Sequence, residues 1–269
     1  MRKNSITSSS ISSAFSVQAR VLYALMLRET KTRYSRMRVG YLWAVAEPML
    51  FIGIFFLMFH LAGRPEVSGM PLLAFLVTGA SPYILFRDSM QIVMSALTGN
   101  KPLLAFPQVT LFDLTIARGL LEMATHFTAA LLLILAVAVF AGPLKVENML
   151  SATFWFFSAG LLGLGAGIGF GAIATLFPSV QQLVQVLLGR PLFFISGLFF
   201  TTDMVPEKIL GLALINPLLH IIELIRSAFF VEFESQHASW QYVMIFVLTV
   251  LFLGLVAQVG LRRRILSIP

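Results

Sequence analysis

Residues 27–50 read LRETKTRYSRMRVGYLWAVAEPML. Between Arg28 and Arg38 lie five basic residues and one acid, Glu29. From Val39 the chain is apolar to Ala62, broken only by Glu47 and His60. Lys and Arg collect on the cytoplasmic side of a membrane, and about 20 apolar residues in a helix cross its hydrocarbon core. The basic part therefore reads as lying on the cytoplasmic face, and the apolar part as crossing, with Glu47 just inside the junction.

Composition supports a membrane chain. Of 269 residues, 58% are hydrophobic and 12% charged, and the mean hydropathy is +0.89. Soluble domains carry about 25% charged residues; half that cannot cover a water-facing surface. The net charge of +7 would suggest nucleic acid in a soluble protein. In a membrane protein it reflects cytoplasmic loops and anionic headgroups, so membrane lipids are expected partners and nucleic acid is not. With no cysteine, disulfides and thiolate metal sites are excluded. The start, MRKNSITSSSISS, lacks an apolar core and is read as a mobile cytoplasmic tail over 1–13 rather than a cleaved signal.

Six segments are long and apolar enough to cross: about 40–62, 72–97, 108–141, 151–176, 183–200 and 239–261. The third is long for one crossing and is expected to begin as a surface helix near Thr110. Arg2, Lys3, Arg20, Arg28, Lys31, Arg33, Arg36 and Arg38 precede the first span and Arg262, Arg263 and Arg264 follow the last. Both termini are thus expected in the cytoplasm, which demands an even number of crossings. The presumed outer loops hold single basic residues, Arg64 and Lys145. Residues 14–38 read as an interfacial amphipathic helix, with Phe15, Ala19, Leu22 and Met26 on one face and Arg20, Arg28 and Lys31 on another. The alternative is a charged anchor before the first span.

Between the fifth and sixth spans, the apolar runs 208–222 and 224–231 are short and interrupted by Asn216-Pro217, Glu223 and Arg226. Irregular backbone at membrane depth survives only when buried in protein or facing water. Residues 203–236 are therefore read as two re-entrant helices, the second capped by Asn216 with Pro217 in its first turn. The fold class expected is all-α integral membrane: a single permease domain over 39–261, followed by a cytoplasmic tail over 262–269.

GLGAGIGFG at 163–171 lies mid-span, with no preceding strand and no following Lys-Ser/Thr, so it is not a nucleotide loop. Gly163, Gly167 and Gly171 share one face, as do Gly165 and Gly169, and small faces let membrane helices approach closely. The chain has no GxxxxGK[ST], HExxH or GxSxG, and its four histidines stand apart in sequence. No catalytic, cofactor or metal site is expected, and the energy for any active transport must come from another subunit or an ion gradient. Glu47, Arg87, Asp88, Asp113, Arg118 and Glu122 fall in the cytoplasmic half of the spans on this topology. Charges there must pair or face the bundle interior, with Arg118 and Glu122 able to pair at four-residue spacing. They form either a polar vestibule or a structural ion-pair cluster, and a proton relay would use the same residue types. Phe51, Phe55 and Phe59 make one stripe, while Phe193, Phe194, Phe199 and Phe200 crowd the fifth span. Such rings either pack against lipid and neighbouring helices or stack on the apolar faces of sugars.

The run RETKTRYSRMRVGYLWAVAEPML resembles the first segment of type-2 ABC exporter permeases. GNKPLLAFPQ at 99–108 resembles their second cytoplasmic loop, and VQQLVQVLL at 180–188, MVPEKI at 204–209 and INPLLHIIELIR at 215–226 resemble their last third. The polysaccharide-exporting branch is the nearest in pattern, and within it the inner-membrane permease of bacterial capsule exporters. The chain departs from it at Phe177-Pro178-Ser179 and at Ser196-Gly197. The resemblance implies a homodimer in the inner membrane, working with two copies of a separate ATPase that carries ATP and Mg. Gly99, Asn100, Lys101, Pro102, Phe106 and Pro107, with the N-terminal helix, would dock on that ATPase. It also implies a lipid-linked acidic glycan as cargo, passed to a periplasmic adaptor and an outer-membrane channel. Arginine binds carboxylate and phosphate through paired hydrogen bonds. Arg28, Arg33 and Arg38 are therefore candidate cargo contacts, with Glu47, Phe51, Phe55, Phe59, Arg87, Phe193 and Phe194 along the path. Other readings are export of O-antigen or teichoic acid, export of small lipophilic drugs, and an enzyme on lipid-linked sugars built around Asp88, Asp113 and Glu122.

Overall fold

The structure, a computed structural model, describes residues 8–34, 40–64, 66–140 and 146–267; side chains at 8–15, 33–34, 40–45, 101, 140 and 267 are outside the description. Helix α1 spans Ser8–Tyr34 and α2 Gly40–Leu61. A two-stranded hairpin, β1 Glu66–Val67 and β2 Met70–Pro71, leads into α3, Leu72–Met94, and the short α4, Ala96–Gly99. Then come α5, Leu111–Phe140, and α6, Met149–Leu176. The chain continues through α7, Ser179–Val184, a π turn over 185–189, and α8, Arg190–Ile195. Helices α9, Glu207–Ala213, α10, Pro217–Phe229, and α11, Trp240–Ser267, complete the described chain.

Local chemistry sets several of these boundaries. Thr110 and Asp113 cap α5 reciprocally: the Thr110 amide and hydroxyl both donate to Asp113 Oδ2 at 2.8 Å, and the Asp113 amide donates to Thr110 Oγ1 at 3.2 Å. The expected surface start near Thr110 is thus a capped helix end. Asn148 caps α6 by accepting from the Ser151 amide at 2.9 Å. Asn216 caps α10 through the Leu218 amide at 3.0 Å, with Pro217 at the first helical position. Ser8–Ser13, read from the sequence as tail, belong to α1, and the C-terminal arginines continue α11 to Ser267.

Among the described residues, α5, α6 and α11 are long and apolar enough to cross a membrane; the pair α9–α10, bent by 100°, makes a fourth if counted as one span. Six crossings do not follow from length and composition alone. Helices α2 and α3 have 22 and 23 residues, about 33–35 Å at 1.5 Å per residue, but α3 carries Arg87, Asp88 and several small polar residues. The expected fifth span, 183–200, is a helical stretch from Ser179 to Ile195 with a π turn in it. It ends five residues early because Gly197 adopts φ +80° and turns the chain back.

Helix α6 is central, packed against α3 on one side and α11 on the other. A Cβ at Gly167 would lie 2.8 Å from the Met90 carbonyl oxygen, and one at Gly171 would lie 2.9 Å from that of Met94. On the opposite face, a Cβ at Gly165 would lie 2.8 Å from the Leu251 amide nitrogen, and Gly169 faces Gly254. The two small faces read from the sequence thus serve two partners.

Gly167→Val is expected to collapse this contact, since overpacking costs about 1–3 kcal/mol or more. Gly211→Ala, where the added atom meets nothing within 4 Å, is the control. Thermal unfolding of the purified protein in detergent checks both: Gly167→Val should lower the midpoint by several degrees, and Gly211→Ala should leave it in place or raise it.

Candidate functional site

The aromatic stripes of α2 and α8 converge. Phe51 and Phe55 face Phe193 with ring centroids at 5.5 and 6.0 Å. Phe55 and Phe59 reach Phe199 at 4.6 and 6.0 Å, and Tyr83 of α3 joins Phe193 at 5.6 Å. The turn at Gly197 returns Phe199 to within 5.2 Å of Phe193. Edge and tilted ring contacts of this kind add to simple apolar burial. Phe194 touches Phe193 but turns outward, 65% exposed, so it lies off this seam.

At the Glu47 end of the seam a row of charged groups crosses three helices. Glu47 Oε1 lies 3.8 Å from Arg87 Nη2. Arg87 Nε donates to Asp88 Oδ1 at 2.7 Å. His126 Nε2 lies 3.2 Å from Asp88 Oδ2 and 3.5 Å from Glu122 Oε2. A cleft is lined by Glu47, Pro48, Phe51, Arg87, Asp88 and His126, among others. Glu47 and Arg87 were read from the sequence as path residues. His126 was not; its signal was the four-residue spacing from Glu122, which puts both on one face of α5. The expected Arg118–Glu122 pair is replaced: Arg118 reaches Glu29 of α1 at 2.8 Å and donates to the Ile92 carbonyl and Ser95 Oγ at 3.2 and 3.1 Å.

That substitution builds a joint at the end of the bundle where α3 finishes. Arg28 donates to Asn100 Oδ1 at 3.1 Å, so a residue expected to bind cargo meets one expected to bind the ATPase. Gln18 donates to Asp113 Oδ1, holding α1 against the capped start of α5. Gly99 closes α4, Pro102 sits in the first turn of a 3-10 helix over Lys101–Ala105, and Phe106 and Pro107 project beyond it, Phe106 being 57% exposed. The Arg33 side chain and the whole of Arg38 lie outside the described residues.

At the opposite end, α10 is fixed by buried charge. Arg226, fully buried, stacks 3.8 Å above the Phe75 ring and donates to the carbonyls of Phe200, Leu198 and Phe75 at 3.1–3.4 Å. Glu223 lies 3.8 Å from it and accepts from Thr202 Oγ1 at 2.9 Å and Ser235 Oγ at 2.7 Å. A buried charge survives only when paired and hydrogen-bonded, and here the partners come from α3, the 198–202 segment and Ser235.

Of the three acids of the enzyme reading, Asp88 and Glu122 meet at His126 and Asp113 lies apart from them. Asp113 is engaged in the α5 cap, and nine residues of helix place it about 13 Å along the axis from Glu122. Among the described residues no group of three or more His, Asp or Glu is arranged to hold a metal ion.

A family model for the ABC-2 type transporter matches residues 20–230. The chain belongs to the ABC-2 type transporter family. It is 33% identical over 247 residues to the polysialic acid transport protein KpsM of Escherichia coli, covering 90% of this chain and 94% of the relative. The capsule polysaccharide export inner-membrane protein BexB of Haemophilus influenzae is 30% identical, with 90% of this chain and 91% of that protein aligned. The corresponding CtrC of Neisseria meningitidis serogroup A is 28% identical over 89% of this chain and 90% of CtrC. Relatives of this ABC-2 chain are thus inner-membrane permeases, and its apolar helices fit a multi-pass membrane protein.

The Glu29–Arg118 contact should behave as a coupled pair. Glu29→Gln, Arg118→Gln and the double variant are expected to show a coupling energy of about 1 kcal/mol, the scale for residues in direct contact. A double-mutant cycle on thermal unfolding measures it, and additive single effects would count against the joint.

Proposed function

We propose that the chain is the transmembrane permease subunit of an ATP-driven exporter that moves capsular polysaccharide from the cytoplasm across the inner membrane. The observation that carries this reading is the end-to-end match to capsule-export permeases, which leaves neither this chain nor those relatives with a large unmatched region. The sequence has no phosphate-binding loop of the GxxxxGK[ST] type, so ATP hydrolysis, with its Mg, belongs to a separate ATPase.

In this reading α2, α3, α5, α6, the α7–α8 stretch and α11 make six crossings, and α9–α10 dip into the membrane from the outer side. Helix α1 lies amphipathically at the cytoplasmic interface. Both termini are cytoplasmic, as the basic residues around them favour. Two copies of the chain work with two ATPases. The cargo is an acidic glycan on a lipid anchor, received near Arg33 and Arg38 and passed outward to a periplasmic adaptor and an outer-membrane channel. Arg28, bonded to Asn100, serves the joint between α1 and the 99–107 segment, and Phe106 and Pro107 present the surface on which the ATPase docks. The phenylalanine seam of α2 and α8, opening from the charged cleft, offers ring faces to sugars along the path.

The absence of native cysteine makes single-cysteine tests clean. Phe106→Cys or Pro107→Cys, both at exposed positions, should cross-link to a co-expressed ATPase and react with maleimide only after the membrane is breached. Deleting the gene should abolish surface capsule, and the native chain should restore it. Labelling of intact cells at both positions, or capsule made without the gene, would overturn the reading.

A further inference from the structure

The charged row at the Glu47 end of the seam is graded in exposure. The Glu47 side chain is 59% exposed, Arg87 30%, Asp88 20%, His126 9% and Glu122 1%. The link at its mouth is the longest of the row. Arg87 is anchored through Nε to Asp88 at 2.7 Å, while its Nη2 meets Glu47 at only 3.8 Å, beyond hydrogen-bond distance. The inner end therefore fixes the guanidinium, and the outer end presents its Nη edge to a half-exposed carboxylate. Pro48, the next residue, and Phe51, one helical turn along α2 from Glu47, flank the same cleft.

The Nη2 edge of Arg87 already faces the Glu47 carboxylate at 3.8 Å. An anion binding that edge therefore takes the place of Glu47, which is the most exposed acid of the row and the one held at the longest distance. Such an exchange keeps the charge constant, so the desolvation penalty of binding a new charge in a low-dielectric setting is largely avoided.

We propose that Glu47 is a resident surrogate for cargo carboxylates, and that Arg87 is the residue that selects acidic sugars as Glu47 swings away. Arginine suits this role because its planar fork accepts a carboxylate through two parallel hydrogen bonds, while the adjacent Phe51 ring offers the apolar face that a pyranose stacks upon. The inference rests on the glycan-export reading and deepens it, assigning selectivity to one ion pair.

The test uses the permease–ATPase complex in nanodiscs. The probes are capsule fragments from the cells that make the protein, native or with their carboxylates reduced to alcohols, and the readout is the half-saturating concentration for stimulated ATP hydrolysis. The native complex should prefer the acidic fragment. Glu47→Gln removes the competitor and should widen that preference about threefold, the scale of one half-exposed ion pair. Arg87→Gln should bring the two fragments to parity, and Arg87→Lys should leave a weaker preference than the native residue. Should Arg87→Gln fail to fold, Glu47→Gln, which alters only the exposed partner, decides alone. Parity already in the native complex, a capsule without carboxylates, an unchanged preference in Glu47→Gln, or a full preference in a folded Arg87→Gln overturns the exchange while sparing the export reading. Stimulation by neither fragment overturns both. A response to phosphatidylglycerol in the nanodisc equal to that from the acidic fragment would make a lipid headgroup the anion and overturn cargo selection.

Discussion

Helix α6 meets α3 and α11 nearly backbone to backbone, and the rest of the bundle is arranged around that contact. In lipid, apolar side chains gain little by leaving one hydrocarbon environment for another, so helices associate through close packing and hydrogen bonds. The glycine faces of α6 supply the close packing: Gly163, Gly167 and Gly171 admit the α3 backbone, and Gly165 and Gly169 admit α11. Fixing α3 in this way has consequences at both of its ends. It places Arg87 and Asp88 opposite α2 and α5, and it sets Ile92 and Ser95 where Arg118 can bind them.

Polar groups then do at the ends of the bundle what glycine does in the middle. Arg226 gathers three backbone carbonyls from the segments around it, and Gly79 makes room: a Cβ there would lie 2.7 Å from Arg226 Nη2. His220 extends the same organisation, with Nδ1 accepting from the Ser239 amide at 3.1 Å and Nε2 therefore donating to the Leu214 carbonyl at 2.8 Å. Irregular backbone at depth must have its hydrogen bonds met by protein, and Arg226 and His220 meet several of them. At the other end, Arg118 and Arg28 are spent on contacts within the chain, so α1, the 99–107 segment and the start of α5 are linked mechanically.

Much of this was legible in the sequence, for reasons that differ by feature. The glycine spacing in 163–171 predicts close faces because helical periodicity alone decides which residues share a side. Asn216-Pro217 predicts a helix start because both residues have strong positional preferences. The partner of Arg118 was not legible: a four-residue spacing made Glu122 plausible, but the choice of Glu29 depends on how α1 lies across α5, which is tertiary. The early end of α8 was missed because an apolar run conceals a turn that only the positive φ of Gly197 reveals. His126 was missed because its two neighbours come from different helices, Asp88 from α3 and Glu122 from its own.

The position of Glu47 follows from the same constraints. A carboxylate one helical turn before the first ring of the α2 stripe occupies the boundary between the cationic segment and the apolar one. Set deeper, it would require full compensation, as Glu122 does at 1% exposure; set further out, it would be solvated and indifferent to Arg87. At the boundary Glu47 lies 3.8 Å from Arg87, which Asp88 holds from behind at 2.7 Å. Twelve residues of helix, about 18 Å, then carry the chain from Glu47 to Phe59, so the charged row and the ring faces lie in series along one helix. Any movement of α2 relative to α3 and α8 must disturb both together, which makes α2 the element whose position the ion pair and the seam share.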